Sequence, residues 1–384
     1  MLDVDILPHI GLKNRLFEFT LGMSLNETLA IIRTYDDMIR NVKLRYSKEK
    51  TEDNIEIHLE REGIRLFFDN ISQILTVILL EKLHIFNFYY WNKCFRSQEI
   101  QPTLSVITKI FGEKVIKDDL STTQNLDLDY NGIQFRFSRV KSTVTEDSFI
   151  YDQFKADSIK FFTKVVVRSI NSYGGNIFPE KVEVILNETT SQLIGLSIDF
   201  SYVGRGFNGK LEIKTKKNVN LFLADDMNDV ISLLGAPNKT HYKNEDKSRI
   251  ELPKRNHFVQ FQEPGQFLNY STLGIDFFIH TNSNKVRKII LHNNHVEDYY
   301  FGAYTRCPYI IRLSEELNIN PMTKWTDLMK SLDMTEEQVK PAIINRDVEH
   351  RRIGKTYAFN FKNIIFEVLP NCDYISSITI FSVQ

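Results

Sequence analysis

The stretch Gly204-Arg-Gly206-Phe-Asn-Gly209 has the spacing of a glycine loop that cradles a pyrophosphate. Such a loop must open a helix, whose first N–H groups hold the phosphates. Here Lys210-Leu-Glu-Ile-Lys-Thr215 follows and alternates like a strand, so a hairpin turn is the preferred reading. His292-Asn-Asn-His295 with Cys307 offers donors that zinc accepts. A structural zinc site needs four converging ligands, and no fourth stands at suitable spacing, so a polar loop at a strand end is preferred. Cys94 has no neighbouring Cys or His that would mark an activated nucleophile. The acid pairs Asp36-Asp37, Asp118-Asp119 and Asp225-Asp226 border predicted helix ends, where capping and solvation account for them. No G-x-S-x-G, Walker, H-E-x-x-H or kinase signature occurs. The residues therefore argue for no enzyme, no cofactor and no metal.

The remaining chemistry is cationic. His241-Tyr-Lys-Asn-Glu-Asp-Lys247 is a dense charged loop with Arg249 just beyond, and Lys285-x-Arg287-Lys288 opens a later strand. If Lys243, Lys247, Arg249, Lys285 and Arg287 converge, they would contact a phosphorylated headgroup or a partner. Lys and Arg near anionic lipid contribute ~1 kcal/mol each. The competing reading is that lysines at strand starts and loops keep sheet edges soluble.

The elements that would position these residues repeat along the chain. An apolar triplet at period two follows a turn residue four times: Gly63 before Ile64, Leu66 and Phe68; Gly132 before Ile133, Phe135 and Phe137; Gly274 before Ile275, Phe277 and Ile279; Asn363 before Ile364, Phe366 and Val368. Period two puts each triplet on one face of a strand. Gly and Asn best tolerate the positive φ of a tight hairpin. Three copies add a further strand, at Leu75 to Leu80, Val286 to Leu291 and Ile375 to Phe381; the second breaks off after Phe137. A short amphipathic helix precedes each hairpin, with Ser24 (in a capping box with Glu27), Thr103, Asp226 and Thr323 as expected caps.

These patterns predict an α+β chain of four helix-plus-antiparallel-hairpin or meander units. Residues 1–139 would hold the first pair, 140–223 a β-rich middle region, and 224–384 the second pair. The middle region reads as strands at Lys164 to Ile170, Lys181 to Leu186, Leu193 to Val203, Leu211 to Thr215 and Val219 to Leu223. Lys141 to Asp157 reads as a polar linker, and Asn244 to Pro264 as a polar loop.

Composition narrows the class further. The 384 residues carry 48 Lys and Arg against 49 Asp and Glu, a net charge of −1. A dedicated nucleic-acid binder usually carries a large positive excess, so no nucleic acid is expected. The 28 Phe and 16 Tyr suit a β-rich interior. Ile74 to Leu80, the longest mostly apolar run, is far shorter than the ~20 residues of a spanning helix. The start Met1-Leu-Asp lacks a basic, signal-like region, and three scattered cysteines suit reduced thiols, so a cytoplasmic protein is expected.

Several stretches resemble the phagosome assembly factor 1 family. They are Met1-Leu-Asp, Glu18-Phe-Thr-Leu-Gly-Met23, Gly235-Ala-Pro-Asn-Lys, Tyr242-Lys-Asn-Glu-Asp-Lys247, Asn269-Tyr-Ser-Thr-Leu-Gly-Ile-Asp276, Lys285-Val-Arg-Lys-Ile-Ile-Leu-His292 to Arg306-Cys307, and Ile365-Phe-Glu-Val368. The resemblance implies a non-enzymatic autophagy factor, a peripheral scaffold. It would act with a WD40-propeller partner of the breast carcinoma amplified sequence 3 type, at the phagophore on phosphoinositide-bearing membranes. No catalytic or lipid-contacting residue carries over. A membrane-trafficking adaptor at the Golgi or endosomes fits the same residues, and a small-ligand or enzymatic module would need a deep polar pocket.

Overall fold

The computed structural model describes residues 2–7, 10–47, 53–116, 119–120, 122–130, 132–140, 150–162, 178–187, 189–190, 192–205, 211–243, 249–251, 264–314, 317–334, 339–345 and 354–382. The chain is mixed α+β, mostly β, with four α-helices among the described residues. It divides into two units, residues 1–175 with 203–212 and residues 176–202 with 213–384.

In the first unit β1 (Leu2–Leu7), β2 (Gly11–Lys13) and β3 (Glu18–Thr20) precede helix α1 (Leu25–Thr34). Then come β4 (Val42–Arg45), β5 (Ile55–Leu59), β6 (Ile64–Phe68), β7 (Leu75–Leu80), β8 (Phe86–Tyr90), β9 (Lys93–Arg96) and α2 (Leu104–Phe111). Strands β10 (Asn125–Asp129), β11 (Ile133–Arg139) and β12 (Phe154–Phe162) complete it. They form a five-stranded sheet, β3-β2-β1-β8-β9, and a seven-stranded sheet, β10-β11-β12-β7-β6-β5-β4. The triplets on β6 and β11 are buried, as their alternation requires.

The second hairpin gains a third strand after all. β12 pairs with both β11 and β7, although much of it falls in the stretch expected to be a linker. Its apolar pattern breaks phase: Phe154 and Ala156 are buried, then Ile159 and Phe161. Ala156 and Ser158 pair with consecutive residues of β11, so Asp157 bulges and flips the alternation.

The second unit holds β13 (Phe178–Leu186), most of β14 (Leu193–Arg205) and β15 (Leu211–Phe222), and α3 (Met227–Leu234). It continues with β16 (Lys239–Lys243), β17 (Arg249–Glu251), β18 (Gly265–Tyr270), β19 (Ile275–His280), β20 (Val286–His292), β21 (Tyr309–Arg312) and β22 (Asn318–Ile319). Last come α4 (Trp325–Ser331), β23 (Ala342–Asn345), β24 (Lys355–Phe361), β25 (Ile364–Val368) and β26 (Ile375–Phe381). The strand expected at Lys164 to Ile170 lies outside the described residues. The two strands expected between Leu211 and Leu223 are one, β15. Asn218 carries its polar middle through the sheet by bonding Ser197 Oγ at 2.9 Å and Asp199 Oδ1 at 2.7 Å.

A five-stranded sheet, β15-β14-β13-β21-β22, shares one apolar core with a nine-stranded sheet, β16-β18-β19-β20-β26-β25-β24-β23-β17. Ile275, Phe277, Ile364 and Phe366 meet Leu196, Ile198, Tyr309 and Trp325 in that core. The nine-stranded sheet cannot lie flat. Its edge strands β16 and β17 are separated by six residue steps, from Lys243 to Arg249, which span at most ~22 Å. Eight flat inter-strand spacings cover ~38 Å. The sheet therefore curls and brings its edges toward each other.

Local hydrogen bonds explain the helix starts. Ser24 Oγ accepts from Glu27 N, and Glu27 Oε2 accepts from Ser24 N. Thr103 caps α2, and Asp226 caps α3 with Asp229 reaching back. The fourth cap differs from expectation. Thr323 Oγ1 accepts from Asn320 N, and Lys324, at the cap position, gives no side-chain bond. Asp373 accepts from Thr326 N at 3.0 Å instead, a partner distant in sequence.

One backbone contact recurs at each of the four triplet hairpins. The carbonyls of Gly63, Gly132, Gly274 and Asn363 accept from the N–H groups of Glu81, Phe162, His292 and Phe381. The three glycines have φ of 65°, 89° and 72°. At the fourth site Lys362, not Asn363, takes the left-handed turn, with φ of 52°. Asn363 is instead a buried clip: its amide donates to Leu193 O at 2.7 Å and Phe381 O at 3.0 Å, and its oxygen accepts from Leu193 N at 3.1 Å.

Candidate functional site

Since Ile275, Phe277 and Ile279 point into the core, the residues between them build the opposite face of the nine-stranded sheet. His241, Phe267, Phe278, Lys288 and Phe381 stand in register across β16, β18, β19, β20 and β26. Phe278 is fully buried although it faces away from the core. Phe267 packs on it at 4.9 Å, and the ammonium groups of Lys243 and Lys288 lie 5.8 and 4.9 Å from its ring centre. Each ammonium is attracted by the ring while its stem shields apolar surface.

The five cations singled out in the sequence are placed unequally. Lys243 pairs with Gly265, Gly265 with His280, and His280 N donates to Lys285 O. Lys243 and Lys285 thus share one end of the sheet, roughly 14 Å apart at three strand spacings. Arg287 sits at a bulge in β20, half-buried, with its Nε unbonded among the described residues. Arg249 begins β17 on the other edge strand, opposite Asn345. Lys247 lies outside the described residues. Phe278, the centre of the arrangement, was not singled out. Its signal is the phase of the strand, because positions between core residues share the outer face.

A polar network occupies the other end of this face. His292 Nε2 lies 2.9 Å from Asp276 Oδ2, and Tyr304 OH donates to the same oxygen at 2.8 Å. Asn269 Nδ2 donates to Tyr304 OH at 3.1 Å, and the His292 ring stacks on Tyr304 at 3.7 Å. Burial, reinforced by the Asp276 charge, pushes the Tyr304 phenol far above its ordinary value, so it remains a donor. On neighbouring strands Ser377 and Thr356 donate to Glu367 at 3.0 and 2.5 Å. This arrangement fixes side chains by stacking and hydrogen bonding and leaves its ionisable groups engaged with one another.

Several of the other chemical candidates make structural contacts. His295 turns from His292 toward Cys372, Nδ1 to Sγ 3.9 Å, and stacks on Tyr374. No group of three or more His, Cys, Asp or Glu among the described residues is arranged to hold a metal. A strand, β15, follows the glycine-rich motif where a nucleotide loop needs a helix. Asp226 caps α3, and Asp225 accepts from Phe222 N. No helix among the described residues is long and apolar enough to cross a membrane.

The described residues of the first unit include concave surfaces. A groove of about 720 Å³ runs along the Glu27, Ala30, Ile31 and Tyr35 stripe of α1, closed by residues 13–18. A smaller one of about 340 Å³ lies on the open face of the seven-stranded sheet over Phe67, Val77 and Leu79. Beside it Arg65 Nε bonds Glu56 at 2.7 Å and holds that carboxyl below its ordinary range.

The family profile described as phagosome assembly factor 1 matches residues 15–381. The chain belongs to this family. PHAF1 protein CG7083 of Drosophila melanogaster is 27% identical over 428 aligned positions, covering 100% of this chain and 94% of the relative. PHAF1 protein T01G9.2 of Caenorhabditis elegans is 27% identical over 403 positions, covering 98% and 93%. PHAF1 protein At3g51130 of Arabidopsis thaliana is 28% identical over 167 positions, 40% of this chain and 38% of the relative. No solved structure matches. The stretches that resemble the family from Asn269 to Asp276 and from Lys285 to His292 fall on β18 to β20, the strands that carry Phe278 and the Asp276 network.

Proposed function

We propose that the chain is a non-enzymatic autophagy factor, a peripheral scaffold that acts with a WD40-propeller partner of the breast carcinoma amplified sequence 3 type. It works in the cytoplasm and at the phagophore, on phosphoinositide-bearing membranes. The observation that carries this reading is membership of the phagosome assembly factor 1 family over residues 15–381. The engagement of Asp276, His292, Glu367 and Asp226 in internal bonds favours docking surfaces over a reaction centre. We read the four helix-and-hairpin segments as copies of one module; the recurring carbonyl contact at Gly63, Gly132, Gly274 and Asn363 supports this. Lys243, Lys285 and Arg287 are the proposed secondary contact to lipid or partner.

With a net charge of −1, the chain alone binds membranes weakly and the partner supplies most of the affinity. Flotation of phosphoinositide vesicles tests this with the purified chain, alone and with the propeller partner. Strong recovery only with the partner is expected; strong recovery of the lone chain would refute the partner-dependent form. Imaging in fed and starved cells separates the phagophore from a standing Golgi or endosomal location.

A further inference from the structure

Trp91 is 82% exposed, and its backbone has a φ of 48°. It forms, with Asn92 at 61°, the two-residue turn between Tyr90 and Lys93, which pair as the last rung of β8 and β9. Such a turn favours Asn or Gly. A bulky aromatic there is a genuine outlier, held in a strained left-handed backbone. The fold gains little in return. The Trp91 ring meets Tyr90 edge-on at 6.3 Å and otherwise faces solvent. The base is rigid by contrast: Tyr90 stacks on Phe111 at 4.5 Å, Phe111 packs against Tyr130 at 5.6 Å, and Lys114 lies over Tyr130 at 5.5 Å. Exposed lysines lie beside it, Lys93 in the closing pair of the turn and Lys114 over Tyr130, against exposed Glu113 and against Asp5, which pairs with Tyr89.

We propose that this hairpin tip is a membrane anchor: Trp91 enters the headgroup layer of an anionic bilayer while Lys93 and Lys114 meet lipid phosphates. The inference rests on the membrane association proposed above and gives it a location in the first unit. Three features select a lipid surface as the occupant. The tip is convex, a two-residue turn, whereas a protein hot spot sits within a rim that excludes water. Tryptophan is the side chain enriched at membrane–water interfaces. The surrounding ammonium groups complement anionic lipid.

The chain contains two tryptophans, and Trp325 is buried against Phe359 at 4.2 Å, so emission changes report Trp91. The full chain is titrated with phosphatidylcholine vesicles, with and without phosphatidylserine, at lipid concentrations that drive weak partitioning. A blue shift with the anionic vesicles, quenched by lipids brominated near the headgroup and absent in Trp91→Phe, is expected. Trp91→Gly relieves the strained turn, so it should melt no lower than the parent yet partition roughly tenfold less. If the lone chain does not partition, the complex with its propeller partner is floated with and without Trp91→Gly. A several-fold loss supports the anchor and unchanged recovery overturns it. Vesicle binding with unaltered Trp91 emission also overturns it while leaving membrane association standing. A blue shift caused by the protein partner without lipid reassigns Trp91 to a protein interface and overturns it too. Failure of chain and complex to bind any vesicle removes the membrane reading itself.

Discussion

The seven-stranded sheet of the first unit and the nine-stranded sheet of the second share a way of joining and differ in what they display. In each, the closing strand of one antiparallel run pairs antiparallel with the closing strand of another, β7 with β12 and β20 with β26. Each buries the hairpin triplets on one face. The opposite faces diverge: Phe67, Val77 and Leu79 beside the Arg65–Glu56 ion pair in the first, the cation-flanked Phe278 and the Asp276–His292–Tyr304 network in the second. The joints depend on backbone geometry, which tolerates few side chains. The open faces are freer, and there the two units differ.

The joints themselves are unequal. A Cβ on Gly274 would stand 2.3 Å from the Thr305 carbonyl oxygen, at φ 72°. On Gly63 it would meet the flexible Lys82 side chain at 2.5 Å, at φ 65°. Gly274→Ala is expected to lose about 3 kcal/mol and Gly63→Ala about 1–2, read as urea midpoints. Equal losses would show that the surroundings of the turn do not matter. Asn363→Gly comes next, at about 2 kcal/mol, because the Leu193 backbone loses buried partners. A neutral result would make Asn363 a turn residue after all.

The open faces are tested through charge. Arg65 depresses the Glu56 pKa, so this pair contributes stability above the ordinary carboxylate range and loses it as pH falls through the depressed value. Arg65→Met should cost about 1–2 kcal/mol at neutral pH. The gap from the parent should close below about pH 4; a gap that persists in acid would mean packing, not charge. The smallest effect is at α4. Asp373→Ala should cost about 1 kcal/mol as a lost cap. Thr323→Val should cost less, since Thr323 accepts from Asn320 N outside the helix.

What the sequence made legible was local. Helices α1 to α3 announced themselves through Ser24, Thr103 and Asp226, whose partners lie within three residues. The four triplets did so through strict period two. Contacts that close over distance were illegible. Asp373 reaches Thr326, Asn363 reaches Leu193, and β12 rejoins β11 across residues 140–153 with its phase flipped at Asp157. The edge strand β4 is exposed throughout and gave no apolar pattern to follow. For the candidate site, cation identity was visible but placement was not. Only pairing sets Lys243 and Lys285 at one end of the sheet and Arg249 on the other edge strand.

Affinity purification of the endogenous chain from fed and starved cells, followed by mass spectrometry, addresses what the molecule does. A WD40-propeller protein recovered in near-stoichiometric amount, with the complex concentrated on phagophore membranes after starvation, is the expected result. Recovery of Golgi or endosomal coat components with no propeller protein would contradict the scaffold reading.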